Sequence, residues 1–495
     1  MRWKRTWQDA PSLQPSPDWA REIYCMPKID YQKLEKQLDA PKKSCWDIWS
    51  EMEIKKAFEF CEKYKNYLDN AKTEREAITE SVRLLEKTGF RKLSGFKKLK
   101  SGDKVYAINR DKNLIAAIIG KRGVEAGTSI VMSHVDSPRL DLKVNPLYED
   151  EGLAFFKTHY YGGIKKYHWP TIPLALHGVV VLQSGKKIEI KIGEKANDPV
   201  FMITDLLPHL ARQQYKKTLD EAVAGEELNI LIGSMPVKDA KVKNRVKLAI
   251  LKYLNDEYGI KNDDFFSAEI QAVPESKARD IGFDRSLIAA YGQDDRVCAY
   301  ASLRAIMDAR VGEKTQLCFL VDREEIGSEG NTGAQSIFLE NFLADLREKN
   351  IGKSAQREVF KILEKSKCLS SDVTAGLDPD YKYVHDPFNA ARLGFGVALE
   401  RHTGHRGKSS TSEASAEYVA EIRKILNDKK VVWQTAGIGK VDEGGGGTIA
   451  MFMAKRNMDV IDIGVALFNM HAPMEISSKA DVYSAYLAYS AFYGV

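Results

Sequence analysis

Ser129-Ile130-Val131-Met132-Ser133-His134-Val135-Asp136 joins a short apolar run to two residues that can bind or orient a cation. The run is too short for a helix and suits a buried strand. The same pattern recurs in Leu114 to Ile119, in Leu287 to Ala290 before Asp294, in Leu317 to Val321 before Asp322-Arg323-Glu324-Glu325, and in Val460 to Leu467 before His471. Helical patterns separate several of these runs, over Asp295 to Arg310, Ala334 to Glu348, Glu413 to Asn427 and Ser478 to Tyr493. Upstream, Thr73 and Glu76 have capping-box spacing, Ile78, Val82 and Leu85 share a helical face, and Gly89 can close the helix. Two helices over Glu51 to Thr88 therefore precede the first sheet. Strands alternating with helices predict an α/β layered fold on a mostly parallel or mixed sheet. Ligands of such sheets collect beyond the carboxyl ends of the strands.

From about Val144 to about Arg279 the texture changes. Val179 to Leu182 and the alternating Lys187 to Ile192 stand among Gly and Pro breaks and two short charged helices. This predicts a β-rich domain at residues 144–283 inserted into the α/β domain, whose parts are residues 1–143 and 284–495. The length of 495 residues allows two to four domains, and 44% hydrophobic with 29% charged residues excludes a disordered, collagenous or coiled-coil chain. No repeat of solenoid or propeller length occurs.

Partners are narrowed by the same reading. No apolar run approaches the roughly 18 residues of a membrane span, so no membrane partner is expected. The first residues, MRWKRTWQDAPSLQPSPDWA, have no apolar stretch after their basic ones, which argues against export and for a cytoplasmic location. The 74 Lys and Arg against 69 Asp and Glu leave +5, too weak a field to indicate nucleic acid. Lys97, Lys98, Lys100 and Lys104 read as a solvated loop. The six cysteines (Cys25, Cys45, Cys61, Cys298, Cys318, Cys368) contain no CxxC pair, so neither a thiolate zinc site nor a disulfide framework is indicated.

The polar residues at the strand ends are His134 and Asp136, Asp294, Glu324 and Glu325, Asp372, and His471. Two imidazoles and three carboxylates suit a pair of divalent first-row cations, because one carboxylate can bridge them. Such a pair activates a water and polarises a carbonyl. Taken singly each signal has an ordinary reading: a satisfied core histidine, a helix cap, a solvated doublet. In His134-Val135-Asp136 the two-residue spacing on an extended chain projects both side chains to one face, where Asp136 can orient the imidazole. Neighbours Glu324 and Glu325 point in different directions, so one can bind metal while the other serves as base.

Five segments carry a resemblance: Ser133-His134-Val135-Asp136-Ser137-Pro138-Arg139-Leu140, Gly292-Gln293-Asp294-Asp295-Arg296, Asp322-Arg323-Glu324-Glu325-Ile326-Gly327-Ser328, Ser371-Asp372-Val373-Thr374 and Met470-His471-Ala472-Pro473-Met474-Glu475. With Tyr160-Tyr161-Gly162-Gly163-Ile164 and Gly444-Gly445-Gly446-Gly447-Thr448-Ile449, they resemble the aspartyl aminopeptidase (aminopeptidase I) family, in order over nearly the whole chain. The resemblance implies a three-layer metallopeptidase domain interrupted by a β-rich oligomerisation domain, assembled as a dodecamer. It implies two zinc ions per subunit, with cobalt or manganese an alternative in one site. His134 and Asp372 would complete one site, Glu325 and His471 the other, with Asp294 bridging, and Glu324 would be the base. His209, in Leu206-Leu207-Pro208-His209-Leu210, matches a histidine that reaches a neighbouring subunit's site to stabilise the oxyanion; read otherwise, it caps a short helix.

The implied substrate is a peptide with a free amino terminus. Alternatives are a deacylase or carboxypeptidase using the same metal pair, or a non-catalytic assembly protein on a peptidase scaffold. The presence of all five ligand positions and Glu324 argues against the last. Preference for acidic amino-terminal residues needs a cation near the pocket; in the candidate region Arg401 to Ser410, Lys408 either pairs with an acidic side chain or is simply solvated in a Gly and Ser loop. Gly444 to Gly447 lacks the Lys-Ser/Thr ending of a P-loop and reads as a close-approach loop lining the cleft. His159, His168, His177 and His385 have no partnered spacing and read as ordinary.

Overall fold

The computed structural model describes residues 30–39 and 42–494; Cys25 and the amino-terminal stretch discussed above lie outside them. Two compact units result, Met1–Lys43 and Ser44–Val495. In the first, the helix Tyr31–Leu38 starts where the Asp30 carboxylate accepts the Lys33 N–H at 3.1 Å.

The second unit is organised around Thr128–His134. This strand lies within a nine-stranded sheet between Thr315–Val321 and Lys367–Ser370, both parallel to it, and Asp459–Gly464 extends the parallel set. Antiparallel Asn113–Ile118 and Val397–Glu400 flank that parallel centre, so the sheet is mixed. Apolar residues occupy both faces, as strands covered on two sides require. Val131, Cys318, Leu369 and Ile461 enter one core with residues of the helices Glu51–Asn70, Glu74–Lys87, Gln293–Asp308 and Lys479–Phe492. Ile130, Met132, Phe319, Cys368 and Val460 enter the other beneath Phe338–Ile351 and Gln356–Glu364. Each buried aliphatic side chain contributes about 1.5–3 kcal/mol, which holds three layers together.

Local signals act as expected at several ends. Thr73 and Glu76 form a capping box, and Gly89 adopts φ +88° while its N–H closes on the Glu86 carbonyl at 3.1 Å. Elsewhere boundaries move. The run Val460 to Leu467 is two strands, with Asp459–Gly464 in the nine-stranded sheet and Ala466–Phe468 in a five-stranded one. Gly464 marks the break: a Cβ there would lie 1.6 Å from the Asp372 carbonyl oxygen. The helix expected from Ala334 starts at Phe338, and the one expected from Glu413 starts at Ala416, where Ser415 accepts the Tyr418 N–H at 3.2 Å.

All strands of a separate seven-stranded antiparallel sheet come from Arg139 to Pro274. Its core includes Phe156, Trp169, Leu176 and Ile230. The first of these strands, Arg139–Asp150, begins ahead of residue 144, and Arg279–Ile281, placed by sequence inside the insertion, pairs instead with Leu287–Ala290 in the five-stranded sheet. Among the described residues this region holds one α-helix, Arg245–Tyr258, rather than two. A buried ion network ties the sheet to the helix Glu74–Lys87 and the residues before it. His177 faces Glu76 at 2.9 Å and Glu194 at 3.0 Å, while Lys72 and Lys277 each reach Glu194 at 2.6 Å.

Candidate metal centre

Three of the expected donors, His134, Glu325 and Asp372, sit at or just past the ends of the parallel strands; His471 follows Ala466–Phe468 of the five-stranded sheet, and Asp294 lies at the start of the helix Gln293–Asp308. Asp294 and Asp295 are not helical in conformation, which turns their carboxylates away from the helix course and toward His134. Asp294 divides its oxygens: Oδ1 lies 3.1 Å from His134 Nε2 and Oδ2 lies 3.2 Å from His471 Nε2. Asp372 Oδ1 is 3.6 Å from His134 Nε2, and Glu325 Oε2 is 3.5 Å from His471 Nε2. Glu324 Oε2 stands 4.0 Å from His134 Nε2. With Asp136, whose Oδ1 lies 3.3 Å from His134 Nδ1, all seven strand-end residues read from the sequence are brought together.

Asp136 and two carboxylates outside that set, Glu475 and Asp295, hold this arrangement in register. Asp136 accepts the backbone N–H groups of Glu324 and Glu325 at 3.1 and 3.2 Å and the Tyr161 hydroxyl at 2.9 Å. His134 Nδ1 donates to the Asp136 carbonyl at 3.0 Å, which leaves Nε2 to face the donors. Glu475, given no role by sequence reading, accepts the N–H of Asp294 at 3.1 Å and that of His471 at 2.8 Å. It therefore holds Asp294 and His471 together. Asp295, also missed, accepts the His134 N–H at 3.3 Å and groups with His134 and Asp372 as potential donors. The glycines after Tyr161 bring the backbone close: His471 Nδ1 donates to the Gly163 carbonyl at 2.7 Å, and a Cβ on Gly162 would sit 3.3 Å from that of Glu325.

Charge is strongly one-sided here. Burial and the adjacent Asp372 push Glu324 up to about 8, and burial with Asp294 raises Glu475 to about 8. Glu325 is raised well above the carboxylate range by burial and Asp294. Burial opposes protonation of His471, yet Asp294 and Glu325 lift it to about 11. Crowded anions of this kind are relieved by cations. The donor chemistry fits: imidazole and carboxylate are zinc ligands. The ligand atoms of Asp294, Glu325 and His471 lie within 4.8 Å of one another, and Glu325 Oε1 is buried without a hydrogen-bond partner. The His471 side chain is 32% exposed, so the cluster opens to solvent on that side.

His209 lies apart, exposed in a turn outside any helix on the loop between Met202–Ile203 and Ile230–Gly233. Lys408 and Arg401 both pair with Glu413, at 2.9 and 3.2 Å, so neither presents a free cation. The glycine run makes close approaches: a Cβ on Gly445 would lie 2.1 Å from the Gly404 carbonyl oxygen.

A buried cluster of imidazoles and carboxylates at the carboxyl ends of a mixed, three-layer sheet defines a metalloenzyme of the α/β class. Residues 67–493 match the family model for aminopeptidase I zinc metalloproteases (M18). A probable M18 family aminopeptidase 1 of Clostridium acetobutylicum is 51% identical over 454 residues, covering 91% of this chain and 97% of its own. The crystal structure of an M18 aminopeptidase from Thermotoga maritima superposes with a TM-score of 0.88 at 47% identity, covering 92% of this chain and 99% of its own. A structure described as the S. cerevisiae mApe1 dodecamer has the same fold, with a TM-score of 0.69 at 20% identity over 88% of this chain and 96% of its own. The chain belongs to the M18 family and is a metalloaminopeptidase, a zinc-dependent hydrolase.

Proposed function

We propose that the enzyme removes single residues from the free amino termini of peptides with two zinc ions. His134 and Asp372 would hold one, Glu325 and His471 the other, and Asp294 both. Cobalt or manganese can replace zinc in one position, since the donors are nitrogen and oxygen. The observation that carries this reading is the division of the Asp294 carboxylate between His134 and His471, at 3.1 and 3.2 Å. When bound, the ions make water a nucleophile near neutral pH and polarise the scissile carbonyl.

Glu324 is the base: it takes the proton of the attacking water and returns it to the leaving amine. Asp136 keeps Glu324 and Glu325 in place through their backbone N–H groups, so the base and a terminal donor cannot drift apart. His209 supplies a hydrogen bond to the oxyanion in the site of a neighbouring copy. Its exposure on a loop with exposed Leu206, Leu207 and Leu210 supports contact with another subunit. Self-association through the seven-stranded sheet region, as a dodecamer in the cytoplasm, completes the reading. Among the described residues no helix is long and apolar enough to cross a membrane.

Glu324→Gln tests the mechanism. Zinc content should be retained while kcat falls on the order of 10² to 10⁴-fold; turnover near wild type removes Glu324 as base. A panel of aminoacyl and N-acyl chromogenic substrates tests the reaction, and cleavage confined to N-acyl compounds makes the enzyme a deacylase.

A further inference from the structure

Beside the donor cluster lies a buried pair of carboxylates that the mechanism above does not use. Strand pairing sets Ser370 opposite Asp462, and Asp462 opposite Glu400. Directly paired residues share a face of the sheet. Ser370 also pairs with Met132, and His134 follows Met132 by two residues on the same face of its strand. Ser370, Asp462 and Glu400 therefore form a row, one step below the level of His134, running sideways from the metal donors. At about 4.8 Å per strand, Asp462 and Glu400 lie about 10 and about 14 Å across from the His134 strand.

This row is closed in and unmatched. Glu400 and Asp462 are 4% and 5% exposed. Thr374 lies against Glu400, yet neither oxygen of Glu400 has a hydrogen-bond partner. Asp462 Oδ1 accepts from the Thr448 hydroxyl at 2.8 Å, which draws the end of the glycine run over the row. The Gly404 N–H donates to the Gly446 carbonyl at 2.6 Å, so the loops after Glu400 and before Thr448 meet there. The charges acting on Glu400 belong to Asp462 and Asp372, both negative. Like charges directly opposite across an antiparallel pair are unfavourable, and a buried carboxylate without a partner is costly. Two buried carboxylates elsewhere are matched from within: Glu194 by Lys72 and Lys277, and Glu74 by Lys112. Arg401 and Lys408, the nearest cations in sequence, are engaged by Glu413 on the outside.

We infer that Glu400 and Asp462 receive the cationic side chain of an amino-terminal lysine or arginine, making the enzyme selective for basic residues. This rests on the aminopeptidase reading above. A lysine carries its compact ammonium on a four-carbon stem, a reach of about 6 Å. Asp372 acts electrostatically on both carboxylates, so the row adjoins the donor cluster, and a stem running from the cluster past Asp372 meets Asp462 before Glu400. An acidic side chain would add a third negative charge to the row, and a neutral one would leave both carboxylates unmatched.

Aminoacyl-methylcoumarin substrates bearing Lys, Arg, Leu and Glu, hydrolysed by the zinc-loaded enzyme, test the assignment. The expected order of kcat/KM is Lys and Arg above Leu, with Glu far below. Glu400→Gln and Asp462→Asn should each lower the Lys-to-Leu ratio of kcat/KM by about 10²-fold, and Glu400→Lys should shift preference toward the Glu substrate. A ratio near one in the wild type, or one unmoved by Glu400→Gln, overturns the assignment. Turnover that instead requires added sodium or potassium, a requirement lost in Glu400→Gln, gives the row to an inorganic cation and likewise overturns it. Free lysine and its uncharged counterpart norleucine, competed against the Leu substrate in the wild type, supply a readout without any variant. Lysine should inhibit at least about tenfold more tightly, and equal inhibition overturns the proposal. If no aminoacyl substrate is cleaved, the aminopeptidase reading itself fails.

Discussion

Two buried clusters in this molecule combine histidine with carboxylates, and they reach opposite electrostatic states. Around His177, the carboxylates Glu76 and Glu194 are matched by Lys191, Lys72 and Lys277. Around His134 and His471, the ion pairs of Asp294, Glu324, Glu325 and Asp372 are made with histidine alone among the described residues. Burial opposes ionisation in both places. In the first, hydrogen bonds from His177, Lys277 and Lys72 overcome it and hold Glu194 well below the carboxylate range. In the second, burial prevails at Glu324 and Glu325, and adjacent anions add to it. A cluster whose charge closes internally fastens two parts of a fold; one left open recruits a cation.

Substitutions should separate the two. The largest loss of stability is expected from Lys72→Met, which leaves Glu194 buried with one lysine fewer. It should cost about 3–5 kcal/mol in denaturant unfolding, with zinc content per chain unchanged. Loss of zinc without loss of stability would show that the two clusters are not separable in this way. Asp136→Asn acts on the open cluster by weakening the hold on His134, Glu324 and Glu325. Zinc affinity, measured by chelator competition, should fall about 10 to 100-fold, and an unchanged affinity would deny Asp136 its orienting role.

A gentler probe is pH. Burial tends to lower His177, but its hydrogen bonds to Glu194 and Glu76 raise it above the ordinary 6.5. A raised histidine contributes fully below its unfolded value, and the contribution is lost as pH rises through the folded one. Thermal stability should therefore decline as pH climbs past about 6.5, and His177→Gln should flatten that decline. An identical slope in the variant would place the titration elsewhere. The smallest effect is expected from Lys408→Ala. Its ion pair with Glu413 is at the surface, so stability should change by less than about 1 kcal/mol. A large loss of activity toward an acidic amino-terminal residue would restore Lys408 as a specificity residue.

Much of the open cluster is legible along the chain because its donors follow apolar runs that can only be buried strands. Thr73, Glu76 and Gly89 are equally readable, since capping and a left-handed turn are local chemistry. Other features resist. Glu475 looks like one more charged residue after a turn, and its purpose appears only when the N–H groups of Asp294 and His471 converge on it. Val460 to Leu467 reads as one strand because apolar residues do not announce which sheet they join, and only Gly464 hints at the backbone passing over it. His177 reads as ordinary, because Glu76 lies on a distant helix and Glu194 comes beside it only once the strand Lys187–Ile192 has paired back.

By itself the sequence determined the alternation of strands and helices, the caps, the β-rich texture of the middle region and the set of histidines and carboxylates that follow the apolar runs. These follow from periodicity, local hydrogen bonding and the residue types that coordination requires. Only the tertiary structure decided which carboxylates are neutralised and which are left open. That difference separates Glu194 from Glu400: one meets lysines brought from distant segments, while the other faces Asp462 across a pair of strands. Charge balance depends on what is adjacent in space after folding, and no local pattern encodes it.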